Sequence, residues 1–323
     1  MRIERGIDMN HFLNSKDVLS LPDLIDEAKE VKANPFAWKS LGKNKSVCLL
    51  FLNPSLRTRL SSQRAAQNLG LDAVVLDVNS GGWKLEFADG IIMNGDSAEH
   101  IKEAAAVIGA YFDIVAIRAF AELKNQAEDY SEKVLSAFVK YCGVPVINME
   151  SSTGHPLQAL ADLITIEQNK KVTKPKVVLS WAPHPRALPQ AVANSFVEWM
   201  SIADVDFTIT HPKGYELSSE FMGDLTPEYD QNKAFEGADF VYAKNWSSYS
   251  DYGKILSNDP EWMISNDKMK VTNDAKFMHC LPVRRNVVVE DVVLDGPNSL
   301  VIEEAKNRIV SMQTILKKIL ETL

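Results

Sequence analysis

The 323 residues are 46% hydrophobic and 24% charged, an ordinary globular composition with length for two domains, each with its own core. A net charge of −8 argues against a nucleic-acid partner. Cys48, Cys142 and Cys280 are too few and too widely spaced for a disulfide framework or zinc knuckle, and no run approaches the ~20 apolar residues of a membrane span.

With no apolar leader after Met1, a cytoplasmic protein is expected, and Met9 offers an alternative start. Residues 21–32 have helical periodicity. The apolar run 47–52 reads as a buried strand, ended by Asn53-Pro54. Ser55 can cap a helix that runs through Gln63 and Ala66 to Leu69, with Gly70 closing it. Ser55, Arg57, Thr58 and Arg59 then crowd the first turn, where free N–H groups and the positive end of the helix dipole suit a phosphate. A capped surface helix with exposed arginines would have the same spacing.

A second strand is expected over 72–78 and a loop over 79–84, which carries Asn79, Ser80, Gly81, Gly82 and Trp83. A Trp after two glycines reads as a contact to ligand or to another subunit, or else as a core residue. Residues 97–111 read as a helix with Ser97 as N-cap. A strand over 113–117 delivers Arg118, a helix covers 130–141, and a strand over 144–149 delivers Glu150. Strands alternating with helices predict an α/β protein with a doubly wound parallel sheet.

Ser151-Ser152-Thr153-Gly154 breaks the pattern before a long helix over 155–169, and the domain junction is placed there. The alternation then restarts: strand 176–181, helix 189–202, strand 206–210, short helix 231–235, strands 240–243, 277–280 and 300–302, and a final amphipathic helix 306–320. In open parallel sheets ligands sit outside the carboxyl ends of the strands. Ser55-Arg57-Thr58, Arg118, Glu150, His184-Arg186, His211, Lys244-Asn245 and His279-Cys280-Leu281-Pro282-Val283-Arg284-Arg285 all fall at such ends. Two domains so equipped imply a cation-lined cleft for an anionic substrate.

His155 and Gln158 share one face of a helix start, a position equally explained by backbone hydrogen bonding. Cys280 reads as a small core residue. Pairing it with adjacent His279 as a nucleophile is geometrically poor, because neighbouring strand residues point to opposite faces. The six histidines have no metal-ligand spacing, so no metal is expected. Pro183, Pro185 and Pro189 stiffen the stretch 181–190. No Gly-x-Gly-x-x-Gly follows any strand, which argues against a dinucleotide-dependent dehydrogenase.

Taken together, these motifs resemble the transcarbamylases. Ser55-Leu56-Arg57-Thr58-Arg59 is similar to the family's carbamoyl-phosphate signature. His155-Pro156-Leu157-Gln158 with Leu160-Ala161-Asp162, His279-Cys280-Leu281-Pro282, and Asn307-Arg308 are similar to three further signatures, in order. The Pro-rich stretch, Glu150, Lys244-Asn245-Trp246 and Val283-Arg284-Arg285-Asn286 resemble the N-acylornithine carbamoyltransferases, and together with Trp83 they disfavour an aspartate transcarbamylase. The resemblance implies two domains, 1–150 for carbamoyl phosphate and 151–305 for the acylornithine. It also implies a closing helix, 306–323, packed back on the first domain, and a knotted Pro-rich loop.

The activity implied is carbamoyl transfer from carbamoyl phosphate to the δ-amine of an N-acyl-L-ornithine, in arginine biosynthesis, with no cofactor. Ser55, the Leu56 backbone, Arg57 and Thr58 would hold the phosphate, with Trp83 reaching in from a neighbouring subunit of a homotrimer. Thr58, Arg118 and His155 would polarise the carbamoyl oxygen. Gln158 and the carbonyls of Cys280 and Leu281 would hold the carbamoyl amino group, Arg308 would reach the same ligand, and the Cys280 side chain would orient the amine. Lys244 and Arg284 would meet the acyl substrate's carboxylates and Glu150 its amide N–H, with His184, Arg186 and Arg285 in reserve. Arg59 would be structural. Acetyl-specific relatives place a glutamate near the turn 95–100 and succinyl-specific ones a proline, whereas this chain has Ala98 in an ungapped reading. Alanine neither repels nor crowds a succinyl carboxylate, so the succinyl acceptor is expected. Glu99 at that position would instead favour acetyl. A non-catalytic anion-binding paralogue would be expected to have lost part of the carbamoyl-phosphate set.

Overall fold

The computed structural model describes residues 10–78 and 83–323. Met9 and the loop residues Asn79, Ser80, Gly81 and Gly82 lie outside the described residues. The chain divides into two compact units: one of residues up to Phe120, Ala127–Ser151 and Arg308–Leu323, the other of Ala121–Gln126 and Ser152–Asn307.

The first unit holds β1 (Ser46–Phe51), β2 (Asp72–Asp77), the two-residue β3 (Leu85–Glu86) and β4 (Glu99–His100), β5 (Ile114–Arg118) and β6 (Val146–Glu150). Its main sheet is parallel, in the order β2-β1-β5-β6. Val47 to Phe51 and Ile114 to Ile117 are buried, as strands covered on both faces require. The helices are α1 (Leu21–Ala33), α2 (Leu56–Asn68), α3 (Ile101–Tyr111), α4 (Gln126–Tyr130) and α5 (Lys133–Tyr141). Ala105 and Ile108 of α3 and Leu135 and Phe138 of α5 pack over Cys48, Leu50, Val115 and Ile117. Gly109 permits this approach, because a Cβ there would stand 1.7 Å from the Cys142 carbonyl oxygen. Helix α2 ends as its sequence asks: Gly70 takes φ +71° while Leu71 N–H donates to Ala66 and Gly70 N–H to Gln67.

Two expected elements of this unit shift. The helix expected from Ser97 starts at Ile101, with His100 Nδ1 accepting from Lys102 N–H at 3.3 Å as its cap. Glu99 and His100 are drawn instead into a parallel pair with Leu85 and Glu86. The helix expected over 130–141 is split into α4 and α5, where Glu132 takes φ +50°.

The second unit holds β7 (Lys176–Trp181), β8 (Asp206–Thr210), β9 (Phe240–Lys244) and β10 (Lys276–Met278), parallel in the order β10-β9-β7-β8. Its helices are α6 (Pro156–Asn169), α7 (Ala191–Ile202), α8 (Ser219–Met222), α9 (Gln231–Phe235), α10 (Asn266–Met269) and α11 (Asp291–Leu294). Val178, Phe235, Val241, Ile264 and Phe277 centre its core. The stretch 181–190 is laced to the chain after β9. Asn245 donates to the Ala182 carbonyl at 2.7 Å, Trp181 to the Trp246 carbonyl at 3.0 Å, and Ser247 N–H to the Leu188 carbonyl at 2.9 Å.

The strand expected over 300–302 is instead the entry to α12 (Val301–Leu320). Leu300 N–H still bonds the Phe277 carbonyl, but the short apolar run continues at helical spacing. The first turns of α12 belong to the second unit, and the helix from Arg308 onward to the first. There Gln313 accepts from Asn68 at 2.8 Å, and Lys317 and Lys318 both pair with Glu27.

Candidate active site

In the first unit the strand order reverses between β1 and β5, the crevice where parallel sheets bind ligands. The chain leaves β1 through Asn53-Pro54, and Ser55 caps α2 by accepting from Thr58 N–H at 3.3 Å. The Thr58 hydroxyl oxygen accepts from Ser55 Oγ at 3.0 Å and from Arg308 Nη2 at 2.7 Å. With both lone pairs used, its own hydrogen is left to donate. Leu56 opens the helix with its side chain exposed, so its backbone N–H is what it offers a ligand. Arg57 has a buried Nε with no hydrogen-bond partner among the described residues. A buried guanidinium nitrogen left unpaired is costly, and an anion would satisfy it. Arg59, in contrast, is committed to Asp77 at 2.5 Å and lies over the Phe51 ring.

Arg118, at the end of β5, is buried and held on three sides. It donates to Glu150 at 3.0 Å through Nε and to the Asn53 and Pro54 carbonyls at 2.9 and 3.0 Å through Nη1. Its guanidinium also lies 4.6 Å from the centre of the Phe120 ring. The expected Glu150 carboxylate is therefore the partner of Arg118, an ion pair joining the ends of β5 and β6. Trp83 is half-buried against the core of this unit, and its indole N–H donates to Glu99 at 2.9 Å. Ala98 is exposed, with its N–H on the Lys84 carbonyl at 2.9 Å.

The second unit reverses its strand order between β7 and β9. The chain after β7 carries His184 and Arg186, and β9 ends on Lys244. Partial burial and the nearby Lys244, Arg284 and Arg186 charges depress the His184 imidazolium. The His184 ring also bonds the Arg186 backbone, with Nδ1 2.9 Å from the Arg186 carbonyl oxygen. Neither Lys244 nor Arg284 has a carboxylate partner among the described residues, whereas Arg285 is held by Asp291 at 2.8 Å and Asp295 at 2.7 Å. His211, after β8, is fully buried behind this region and edge-on to Tyr229 and Trp246.

His155 is the buried N-cap of α6, with its N–H on Ser195 Oγ at 2.8 Å and Pro156 preset for the first turn. Gln158, one turn in, donates from Nε2 to Asp162 at 2.7 Å and Glu304 at 3.1 Å. Glu304 also accepts from His279 N–H at 2.9 Å. Strand β10 stops at Met278, so His279, Cys280 and Leu281 form a turn beyond it rather than strand. His279 Nδ1 accepts from Leu281 N–H at 2.9 Å, and Leu281 sits at φ +53°, before a cis bond to Pro282. Burial, then Asp162 and Cys280, push the Glu304 carboxyl far above its ordinary range. Burial, Asp162, Cys280 and Glu304 do the same to the Tyr242 hydroxyl. Sequence reasoning missed this buried acid pair. Its available signal was Asp162 four residues after Gln158 on one helix face.

Residues 10–168 match the family model described as the carbamoyl-P binding domain of aspartate/ornithine carbamoyltransferase, and 189–319 match its Asp/Orn binding domain. The chain belongs to the aspartate/ornithine carbamoyltransferase family. Within that family it is 54% identical, over 98% of its own length and 100% of the relative's, to N-succinylornithine carbamoyltransferase of Bacteroides thetaiotaomicron. It is 37% identical, with 96% of each chain covered, to N-acetylornithine carbamoyltransferase of Xanthomonas axonopodis pv. citri. Among solved structures, acetylornithine transcarbamylase complexed with acetylcitrulline superposes with a TM-score of 0.88, at 37% identity over 95% of this chain and 98% of that one. A variant of N-acetyl-L-ornithine transcarbamylase with one glutamate changed to alanine, complexed with carbamyl phosphate and N-succinyl-L-norvaline, superposes equally well. Among the described residues no helix is long and apolar enough to cross a membrane.

Proposed function

We propose that this carbamoyltransferase moves the carbamoyl group of carbamoyl phosphate to the δ-amine of N2-succinyl-L-ornithine, giving N-succinyl-L-citrulline and phosphate, as a step of arginine biosynthesis. The observation that carries the choice of acceptor is that Lys244 and Arg284 have no carboxylate partner among the described residues, whereas Arg285 is held by Asp291 at 2.8 Å and Asp295 at 2.7 Å. Succinylornithine bears two carboxylates and needs at least two cations. The identity to N-succinylornithine carbamoyltransferases supports the same reading.

In this reading the phosphate is held by Ser55, the Leu56 backbone N–H, Arg57 and Thr58. Each charge-assisted hydrogen bond contributes about 1.5–3 kcal/mol, so several hold a dianion and stabilise it as it leaves. Thr58, Arg118 and His155 polarise the carbamoyl oxygen as the carbon becomes tetrahedral. Gln158 and the Cys280 and Leu281 carbonyls take the carbamoyl amino group, and Arg308 supports the same ligand through Thr58. The neutral δ-amine attacks the carbamoyl carbon, the C–O bond to phosphate breaks, and the amine's proton passes to a phosphate oxygen. Cys280 orients the amine. Glu150 keeps Arg118 aligned and accepts from the acyl amide. The reading includes a homotrimer in which the exposed face of Trp83 completes a neighbour's site.

A colorimetric ureido assay with aspartate, ornithine, N-acetylornithine and N2-succinylornithine in parallel tests the reading. Product from succinylornithine is expected. Product from acetylornithine alone would make the acetyl enzyme the correct reading, and none from any acceptor would favour a non-catalytic paralogue.

A further inference from the structure

The polar cluster beneath Gln158 contains two carboxyl groups that the mechanism above does not use. Asp162 and Glu304 are both fully buried. Both accept from the same Gln158 Nε2, at 2.7 and 3.1 Å. A primary amide has two N–H hydrogens, so both are committed and the Gln158 carbonyl end is fixed as the acceptor end. Glu304 also accepts from His279 N–H at 2.9 Å. One carboxyl group thus ties α6 to the turn that carries Cys280 and Leu281.

We propose that Asp162 and Glu304 are positioning residues for the carbamoyl group, fixing Gln158 as an acceptor and bracing the 279–281 turn so that three carbonyl oxygens meet one amino group. The inference rests on the carbamoyl-transfer reading. The two buried carboxyls, both on Gln158 Nε2, disfavour one another's charge, and burial with Asp162 raises the Glu304 carboxyl above its ordinary range. Tyr242 faces the cluster from β9 and Cys280 from beyond β10.

The test compares two one-atom substitutions, Glu304→Gln and Asp162→Asn, in the full-length protein. A glutamine side chain in place of Glu304 has one acceptor oxygen. It can serve Gln158 or His279 but not both, and its amide donor opposes the other. The asparagine side chain of Asp162→Asn still accepts from Gln158, and it removes one of the two buried carboxyls without removing the acceptor. Glu304→Gln is expected to lower kcat roughly 10- to 100-fold, the size of one lost hydrogen bond to a charged group, with the acyl-acceptor KM unchanged within about twofold. Asp162→Asn is expected to lose about threefold in kcat and to abolish the protonated-carboxyl infrared band expected of the wild type. An unchanged kcat in Glu304→Gln would overturn the proposal. So would equal losses in both variants with equal falls in Tm, as simple packing would give. If Glu304→Gln does not fold, Asp162→Asn decides: wild-type kcat or a persistent band overturns the proposal. Wild-type protein that carbamoylates no acceptor would refute the functional reading instead.

Discussion

Arg308 Nη2 donates to Thr58 Oγ1 at 2.7 Å, joining residues 250 positions apart. The contact is buried, and Ser55 Oγ donates to the same oxygen. The Thr58 hydrogen is thereby aimed away from both donors. Thr58→Val keeps the shape of the side chain but leaves Arg308 without its acceptor. It should lower kcat by roughly 10²- to 10³-fold, as loss of an oxyanion donor does. Steady-state kinetics check this, and a loss below about tenfold would remove Thr58 from the reacting centre.

Arg57 has a buried Nε with no partner among the described residues, where Arg59 has Asp77. Arg57→Ala should abolish turnover with every acceptor and remove calorimetrically measurable carbamoyl-phosphate binding. Arg59→Ala should retain binding and lose about 0–1 kcal/mol of stability, since its ion pair is about one-third exposed.

Arg284 and Arg285 are adjacent but differently engaged. Arg284→Ala should raise the acceptor KM about tenfold or more through loss of a carboxylate contact, with carbamoyl-phosphate KM nearly unchanged. Arg285→Ala should leave acceptor KM within about twofold, because its charge is spent on Asp291 and Asp295. Equal effects of the two substitutions would break the assignment.

Ala98 is exposed beside Glu99, whose carboxylate is held by the Trp83 indole. Ala98→Glu adds an uncommitted carboxylate. It should reduce kcat/KM for succinylornithine about tenfold or more by like-charge repulsion while affecting acetylornithine less. Measuring both acceptors on the variant tests this, and a uniform loss would mean that position 98 does not choose the acyl group.

Stability should depend on pH through two buried groups of opposite sign. Glu304 holds its proton far above the ordinary carboxyl value of 4.5, so its favourable contribution is complete below that pH and is lost as pH rises. Asp162, Tyr242, Cys280 and the His279 N–H face it. Glu304→Gln should therefore be less destabilised relative to wild type near pH 8 than near pH 5, in denaturant titrations. His211 is depressed below 6.5 by burial, so its contribution is present above that pH and lost in acid.

Much of this was legible in the sequence because it follows local rules. Apolar runs marked the strands, Ser55 and Gly70 marked the ends of α2, and polar residues marked the carboxyl ends of the strands. What was not legible depends on partners far apart in the chain. Nothing near Glu150 announces Arg118, nothing near Arg285 separates it from Arg284 until Asp295 folds against it, and nothing near Gln158 announces Glu304. The misread start of α12 has a simpler cause, since a short apolar run does not distinguish a strand from the first turn of a helix.

Whether the acceptor is a succinylated ornithine is decided by direct competition. Carbamoyl phosphate is supplied with equal concentrations of N2-succinyl-L-ornithine and N-acetyl-L-ornithine, and both ureido products are quantified by mass spectrometry. Their ratio is the ratio of kcat/KM values. Succinylcitrulline is expected in excess by about tenfold or more, the worth of one carboxylate–cation contact. Acetylcitrulline in excess would contradict the succinyl assignment.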